Sequence, residues 1–409
     1  MSTGLRRSEL VGLLSMTMAL TALSIDLMLP AFGEIRAAFA IDPDSSQAAA
    51  LVTSFMVGLG IVQVVYGPFS DRFGRKPVIY VGFAVFAAGA LGSALAPSFG
   101  LLLLSRFVWG LGAAGPRVIT LAIVRDTHRG DEMAKVMSLL MAVFILVPVF
   151  APGIGAVIVS VAPWRAIFWF CVAYVGVCAL WMLRLPETLD PRHRIELRFD
   201  GVRRAALTVI RHRAAMAYAA AIMVMFGVFV SYLATSELFI DDVFDLGDRF
   251  PLIFGVFAAG MGVAVLSNIS IVGRFGARSV VRVGLVGYVA TASALVGVAM
   301  ASGGRPSFWV FGPLLGVMLG MHALLVPNMN ALAMEPMGTV AGTASALIGT
   351  AQTGGGALLG SIVDRAYDGT VRPLAVAFMV SGTVVAALFA VAGRLSPATT
   401  PVGGRTGPA

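Results

Sequence analysis

A carboxylate and two guanidinium groups interrupt runs of sequence that otherwise carry no charge. Asp26 stands in Thr21-Ala-Leu-Ser-Ile-Asp26-Leu-Met-Leu-Pro30, and Arg106 and Arg117 stand in a later apolar run. A charged side chain near the centre of a bilayer costs roughly 2.5–3.5 kcal/mol even on a lenient insertion scale, so such residues are kept for a purpose. For a carboxyl the purpose is to bind and release a proton or a cation. Arg106 and Arg117 are eleven residues apart, almost three helical turns, and so project from one helix face about 16 Å apart. Either can pair with Asp26. Two readings of the aspartate therefore stand: a group that exchanges protons, or one neutralised permanently by an arginine.

The elements that must position these charges are membrane spans. The chain is 58% apolar and 12% charged over 409 residues, which is outside the range of soluble globular domains. Nearly uncharged stretches of about 20 residues recur, each long enough to cross a hydrocarbon core of about 30 Å as a helix. Twelve are expected, at roughly 9–33, 48–69, 77–97, 100–123, 136–160, 165–185, 213–240, 250–272, 280–302, 306–333, 339–363 and 371–394. The short alternating segments of a membrane β-barrel are absent. The first run is too long for a signal peptide and lacks a small-residue cleavage site. With the amino terminus inside, 21 of the 29 Lys and Arg residues fall on the cytoplasmic side, six fall outside, and Arg106 and Arg117 lie within a span. That asymmetry predicts both termini in the cytoplasm. It also explains the basic pI of about 10.1 without a nucleic-acid partner. Cys171 and Cys178 are two turns apart on one helix, about 10 Å along its axis, too far for a disulfide, and read as packing residues.

The predicted fold is an all-α membrane protein of twelve transmembrane helices in two pseudo-symmetric six-helix bundles. Residues 1–185 form the first bundle, 186–212 a cytoplasmic linker, 213–395 the second bundle, and 396–409 a disordered tail. The linker carries Arg192, Arg194, Arg198, Arg203, Arg204 and Arg211, read as a solvated basic segment or as a contact with anionic lipid. The two halves echo each other. Arg72-Phe73-Gly74-Arg75-Lys76 follows the second span and Arg274-Phe275-Gly276-Ala277-Arg278 the eighth, an offset of 202 residues. Duplicated halves place a binding site near the midplane where they meet, and rocking about it gives alternating access. A transporter is therefore expected on the repeat alone.

The loop after the second span reads Gly67-Pro68-Phe69-Ser70-Asp71-Arg72-Phe73-Gly74-Arg75-Lys76. Gly67 and Gly74 permit close helix approach and a tight turn. Asp71 can satisfy an arginine or a helix N-terminus, and Arg72, Arg75 and Lys76 hold the cytoplasmic face. Together they form a candidate conformational latch. Gln63, Asn268, His322, Asn328, Asn330 and Gln352 are uncharged polar residues within spans. Singly each is read as helix–helix glue; as a set facing a cavity they would suit a neutral, moderately polar substrate. Glu237 precedes an acidic turn at the outer end of the seventh span. It is either a residue at the water interface or a second acidic site favouring cations.

These motifs resemble those of the major facilitator superfamily. The decapeptide is similar to its signature loop, and Arg106-Phe-Val-Trp-Gly110-Leu-Gly112-Ala-Ala-Gly115-Pro116 to its span-four motif. Pro148-Val-Phe-Ala151-Pro152-Gly153-Ile-Gly155-Ala156 resembles the antiporter motif but departs from it at Val147, Ala151 and Ala156, where glycines are usual. The segments around Asp26, Val124-Arg125-Asp126, Pro327-Asn328-Met-Asn330 and Gly354-Gly-Gly356 resemble the Bcr/CflA branch of drug:proton antiporters, which includes the chloramphenicol and florfenicol exporters.

The resemblance implies a secondary active multidrug efflux transporter in a bacterial inner membrane, working as a monomer. It would exchange small hydrophobic drugs, amphenicol-like ones foremost, for protons, with Asp26 and Arg106 as the proton-coupling pair. Arg117 has no clear counterpart in the family, and a gate ion pair and a substrate contact remain open for it. The alternative cargo is a metabolite such as an amino acid, small peptide or sugar. An enzyme is not expected: His128, His193, His212 and His322 are scattered, and neither a metal-ligand cluster nor a nucleophile–base pair is legible. No glycine-rich phosphate loop with Lys-Ser/Thr is present, so neither ATP nor a cofactor is implied.

Overall fold

The computed structural model describes residues 5–190, 192 and 199–395. The expected tail at 396–409, with His193, Arg194 and Arg198 of the linker, lies outside the described residues. Among the described residues twelve helices are long and apolar enough to cross a membrane. They are α1 (Arg7–Ala38), α2 (Ser46–Phe73), α3 (Arg75–Leu95), α4 (Phe99–Thr127), α5 (Gly130–Val161), α6 (Arg165–Met182), α7 (Arg213–Asp242), α8 (Gly247–Phe275), α9 (Ala277–Ala301), α10 (Phe308–Gly338), α11 (Ala341–Asp364) and α12 (Arg372–Leu395). No strand occurs among the described residues. Helices satisfy their own backbone hydrogen bonds, which lipid cannot do for them.

The packing repeats with a period of six helices. In the first half α1 packs on α4, α5 and α6, α2 on α4, and α3 on α4 and α6; in the second, α7 packs on α10, α11 and α12, α8 on α10, and α9 on α10 and α12. Across the halves α5 meets α8 and α11 meets α2, which is the same relation read in each direction. The duplicated loops share a backbone as well. Gly74 and Gly276 end α2 and α8 at φ +104° and +75°, a region that favours glycine, and Arg72 and Arg274 stack on Phe73 and Phe275 at 5.4 and 5.3 Å.

Two helices are interrupted, and α2, α4, α5 and α10 carry prolines in their interiors. The first segment of α1 ends at Asp26, followed by a 3₁₀ turn over Leu29–Ala31 and a short helix over Phe32–Ala38. Pro30 supplies the reason: it has no N–H for the Asp26 carbonyl four residues back, and its ring crowds that carbonyl. A π-helical stretch, Ala351–Gly355, divides α11, and α10 carries Pro313 and Pro327 in its interior. The linker is not wholly a loop. Phe199–Arg211 is helical, and Val209 is buried with Ala215, Met337 and Ala344.

The helices of the first half approach closely through small residues. A side chain at Gly89 would meet the backbone of Trp109, and one at Gly110 the carbonyl of Phe55. Trp109 lies edge-on to Phe55, Phe86 and Phe168. Side chains such as Ile269, Val283 and Leu252 point outward, each at least 70% exposed, as lipid-facing residues do. Gly89→Val is expected to destabilise the protein by roughly 1–3 kcal/mol through overpacking. Gly100→Ala, where nothing lies within 4 Å, should leave the detergent melting temperature unchanged.

Candidate functional site

A cavity of about 310 Å³ lies between the halves, walled by α1, α2, α4, α5, α7, α8, α10 and α11. That is enough for a drug-sized molecule. Its walls are mostly apolar and carry five aromatic side chains: Phe144, Phe226, Phe229, Tyr232 and Phe254. The polar groups on the wall are few. Asp26 and Thr21 come from α1, Arg117 from α4, and Gln352 and Thr353 from the π-helical turn of α11.

Asp26 is 4% exposed and stands where α1 is interrupted, so the break brings its side chain onto the cavity wall. No hydrogen bond or ion pair reaches it among the described residues. A permanently neutralised aspartate would show an arginine here, and neither candidate arginine bonds it. Arg106 is fully buried and held elsewhere: Nη1 donates to the Ser24 carbonyl at 2.9 Å and Nε to the Leu51 carbonyl at 3.3 Å. Its guanidinium lies 4.6 Å from the Phe55 ring and 4.7 Å from Trp109. Arg106 thus ties α4 to α1 and α2, two residues from Asp26, and fixes the backbone that presents the carboxyl. Arg117 does line the cavity, and its guanidinium lies 5.5 Å from the Phe144 ring.

Most of the other expected cavity residues lie off this wall. Asn328 donates to Asn268 Oδ1 at 2.8 Å and to the Leu324 carbonyl at 2.7 Å, joining α10 to α8. His322 is buried behind the wall, stacked on Phe229 at 4.8 Å. Gln63 faces Gly349 across the α2–α11 contact, where a Cβ would lie 3.3 Å from Oε1. Asn330 is half-buried on α10, away from the cavity. Of the six uncharged residues proposed, only Gln352 is on the wall. Spans carry many such residues as glue, and spacing along one helix does not tell which neighbour it faces.

Glu237 is likewise neither at a water interface nor in the cavity. It is buried in a two-pronged ion pair with Arg36, Nη1 to Oε2 and Nη2 to Oε1 both at 3.0 Å. The pair joins the end of α1 to α7, and hence one half to the other. The sequence around Arg36, Gly33-Glu-Ile-Arg36-Ala after the first break, gives no sign of a buried partner.

At the opposite end, the loop motif builds a network within the first half. Arg75 Nε donates to Asp126 Oδ2 at 2.8 Å, Nη1 donates to Ser70 Oγ at 2.8 Å, and the same Nη1 pairs with Asp71. Glu187 accepts from the backbone N–H groups of Arg75 at 2.9 Å and Lys76 at 3.0 Å. A carboxylate there caps the free N–H groups and opposes the dipole at the start of α3. Lys76 Nζ donates to the Leu183 carbonyl at 2.9 Å, and the Gly67 carbonyl accepts from Ser70 at 2.9 Å. Arg72 stays exposed against Phe73. The network thus clamps α2, α3, α4 and the end of α6 into one body.

The family profile described as Major Facilitator Superfamily matches residues 14–361. The chain belongs to the major facilitator superfamily. It is 32% identical to the bicyclomycin resistance protein homolog of Haemophilus influenzae over 367 residues, 89% of this chain and 90% of the relative. It is 36% identical over 162 residues to the multidrug resistance protein MdtL of Salmonella paratyphi C, covering 38% of this chain and 41% of that protein. A D-xylose–proton symporter shares the fold at a TM-score of 0.73 and 14% identity, over 95% of this chain and 98% of that one. As a member of this superfamily the chain is a multi-pass membrane transporter of small molecules and not an enzyme.

The span-five motif of this superfamily member acts through one glycine. A Cβ on Gly155 would strike the Leu27 carbonyl, whereas Gly153 has nothing within 4 Å. Gly155 therefore lets α5 touch α1 at the residue after Asp26, while Ala151 is fully buried and Pro148 lines the cavity. One buried carboxyl escaped the sequence reading. Asp364, at the last residue of α11, accepts from Ser231 Oγ of α7 at 2.5 Å, and its other oxygen is buried without a hydrogen bond among the described residues. Its place at a span end carries no local signal of burial.

Two outcomes follow. Gly155→Ala should impair transport by displacing the Asp26 segment, whereas Gly153→Ala should transport normally, read as drug efflux from cells expressing equal amounts of each. Glu237→Gln leaves Arg36 buried without its counter-charge and should weaken the tie between halves by about 3 kcal/mol. In a background lacking Cys171 and Cys178, it should raise labelling of an Ile25→Cys side chain by an impermeant thiol reagent added outside.

Proposed function

We propose that this transporter exports small hydrophobic drugs, amphenicol-like compounds foremost, in exchange for protons. The observation that carries the reading is the Asp26 carboxyl, unpaired on the wall of an apolar, aromatic cavity between two halves. The names of the resistance relatives point the same way. In this reading residues 1–185 and 213–395 rock as two bodies joined by 186–212, with both termini in the cytoplasm of a bacterial cell and the chain acting as a monomer. The Arg36–Glu237 pair then closes the outer end, and the drug enters from the cytoplasm.

The cycle follows from the cost of charge in an apolar chamber. An ionised Asp26 facing ring walls is poorly solvated, and a bound drug or a bound proton relieves it in different ways. Drug bound beside the ionised carboxyl is carried outward once the Arg36–Glu237 pair parts. There Asp26 takes up a proton from outside, the drug leaves, and the proton is delivered inside on return. Arg106 contributes by holding the α1 backbone, so its loss would misplace the carboxyl rather than remove a proton site. The latch residues Asp71 and Arg75 keep the first half rigid through that rotation.

The test uses inside-out vesicles carrying the protein and an imposed pH gradient read by a fluorescent dye. Amphenicols should collapse the gradient in the wild type and leave it intact in Asp26→Asn. Gradient-independent flux of an amino acid or sugar, with no collapse by any drug, would replace the antiporter with a facilitator of metabolites.

A further inference from the structure

The cavity holds a cation that no side chain of the described residues bonds. Arg117 rests against the ring of Phe144 at 5.5 Å, and no hydrogen bond or ion pair reaches it among the described residues. A guanidinium offers five N–H donors in one plane. Arg117 is half-buried, so its donors meet the cavity rather than protein acceptors, and a guest that displaces water from them must bond them or leave them unmade at a cost. Arg106 on the same helix is the contrast in position: it lies off the cavity wall, with Nε and Nη1 on two backbone carbonyls and Nη2 buried out of reach of a guest. Arg117 is placed to bond a guest.

We propose that Arg117 is a specificity-determining residue of the cavity, one that receives neutral aromatic compounds bearing strong hydrogen-bond acceptors and repels permanent cations. The inference rests on the reading that this cavity is where the drug binds. A carbonyl, nitro or sulfonyl oxygen can take one or two of the guanidinium N–H groups in a charge-assisted bond. The aromatic body of such a guest lies against Phe226, Phe229, Tyr232 and Phe254. Ring faces and Asp26 also attract cations. Selectivity against them therefore needs a repulsive element, and Arg117 supplies it where the low dielectric makes like charges repel strongly.

The charge inventory agrees with exchange. With Asp26 ionised, its charge and that of Arg117 cancel, and a neutral guest keeps the chamber neutral. With Asp26 protonated the chamber is cationic, which further disfavours a cation. An anion would prefer that protonated state and so would travel with the proton rather than against it. Exchange against protons thus excludes the anionic class, and the exclusion of cations falls to Arg117.

Equilibrium dialysis of the purified full chain in detergent tests this directly, with florfenicol as the neutral probe and tetraphenylphosphonium as the permanent cation. The wild type should bind florfenicol and take tetraphenylphosphonium at least about tenfold more weakly. Arg117→Gln should lose about tenfold in florfenicol affinity and gain about tenfold for the cation. Arg117→Lys should still exclude the cation while losing part of the florfenicol affinity, which a merely structural arginine would not show. An unchanged ratio of the two affinities in Arg117→Gln, in protein eluting as a single folded species, would overturn the filter. Binding is read without a gradient, so a failure of proton coupling in vesicles leaves this result standing. Binding of neither probe to the wild type would overturn the cavity assignment and the filter with it.

Discussion

An ionisable carboxyl can stay inside a bilayer only where protein stands between it and the lipid. Much of this molecule is arranged around that constraint. The proline four residues after Asp26 breaks α1, and the break is tolerable because it faces the interior, where the backbone of α5 and the guanidinium of Arg106 lie against it. Irregular backbone at membrane depth is stable only when buried in protein or lining a cavity. The π-helical turn of α11 obeys the same rule on the other side of the chamber, where it brings Gln352 and Thr353 to the wall. The two interruptions that could weaken the membrane helices are thus where Asp26, Gln352 and Thr353 reach the wall.

Close packing makes the interruptions affordable. Gly58 and Gly110 let α2 and α4 approach to backbone contact, Gly89 does the same for α3 and α4, and Gly155 for α5 and α1. Without a hydrophobic drive between helices in lipid, such contacts supply the association. They are densest in the first half, where the aromatic cluster around Trp109 adds directional ring contacts. Between halves α2 meets α11, α5 meets α8, and α7 touches α2 and the turn in α1.

Charge is sorted by depth. At one end Arg75 gathers Asp71 and Asp126, and Glu187 caps α3, a network confined to one half. At the other end Arg36 and Glu237 join the halves. A buried, hydrogen-bonded ion pair adds little net stability but costs much to break one partner at a time, which suits a contact that must open as a unit. In the chamber between the halves two charges of opposite sign, Asp26 and Arg117, share one wall without bonding each other.

The sequence by itself determined the number of spans, the duplication and the special status of Asp26, because these are written in local composition and spacing. Uncharged runs of fixed length mark membrane helices, a loop repeated at half the chain length marks a repeated half, and an aspartate before a proline in an apolar run stands out, while that run alone leaves both proton exchange and an arginine partner open. Tertiary structure decided which charges meet. Arg36 finds Glu237 about two hundred residues away in the chain, Arg106 turns from Asp26 to backbone carbonyls, and Arg117 faces the cavity with a ring for company. It also decided that Asn268, Asn328 and Gln63 bind helices together while Gln352 meets the cavity. A residue's place along a helix is local, but the direction it faces depends on how helices rotate against distant neighbours. Only the folded packing settles that rotation.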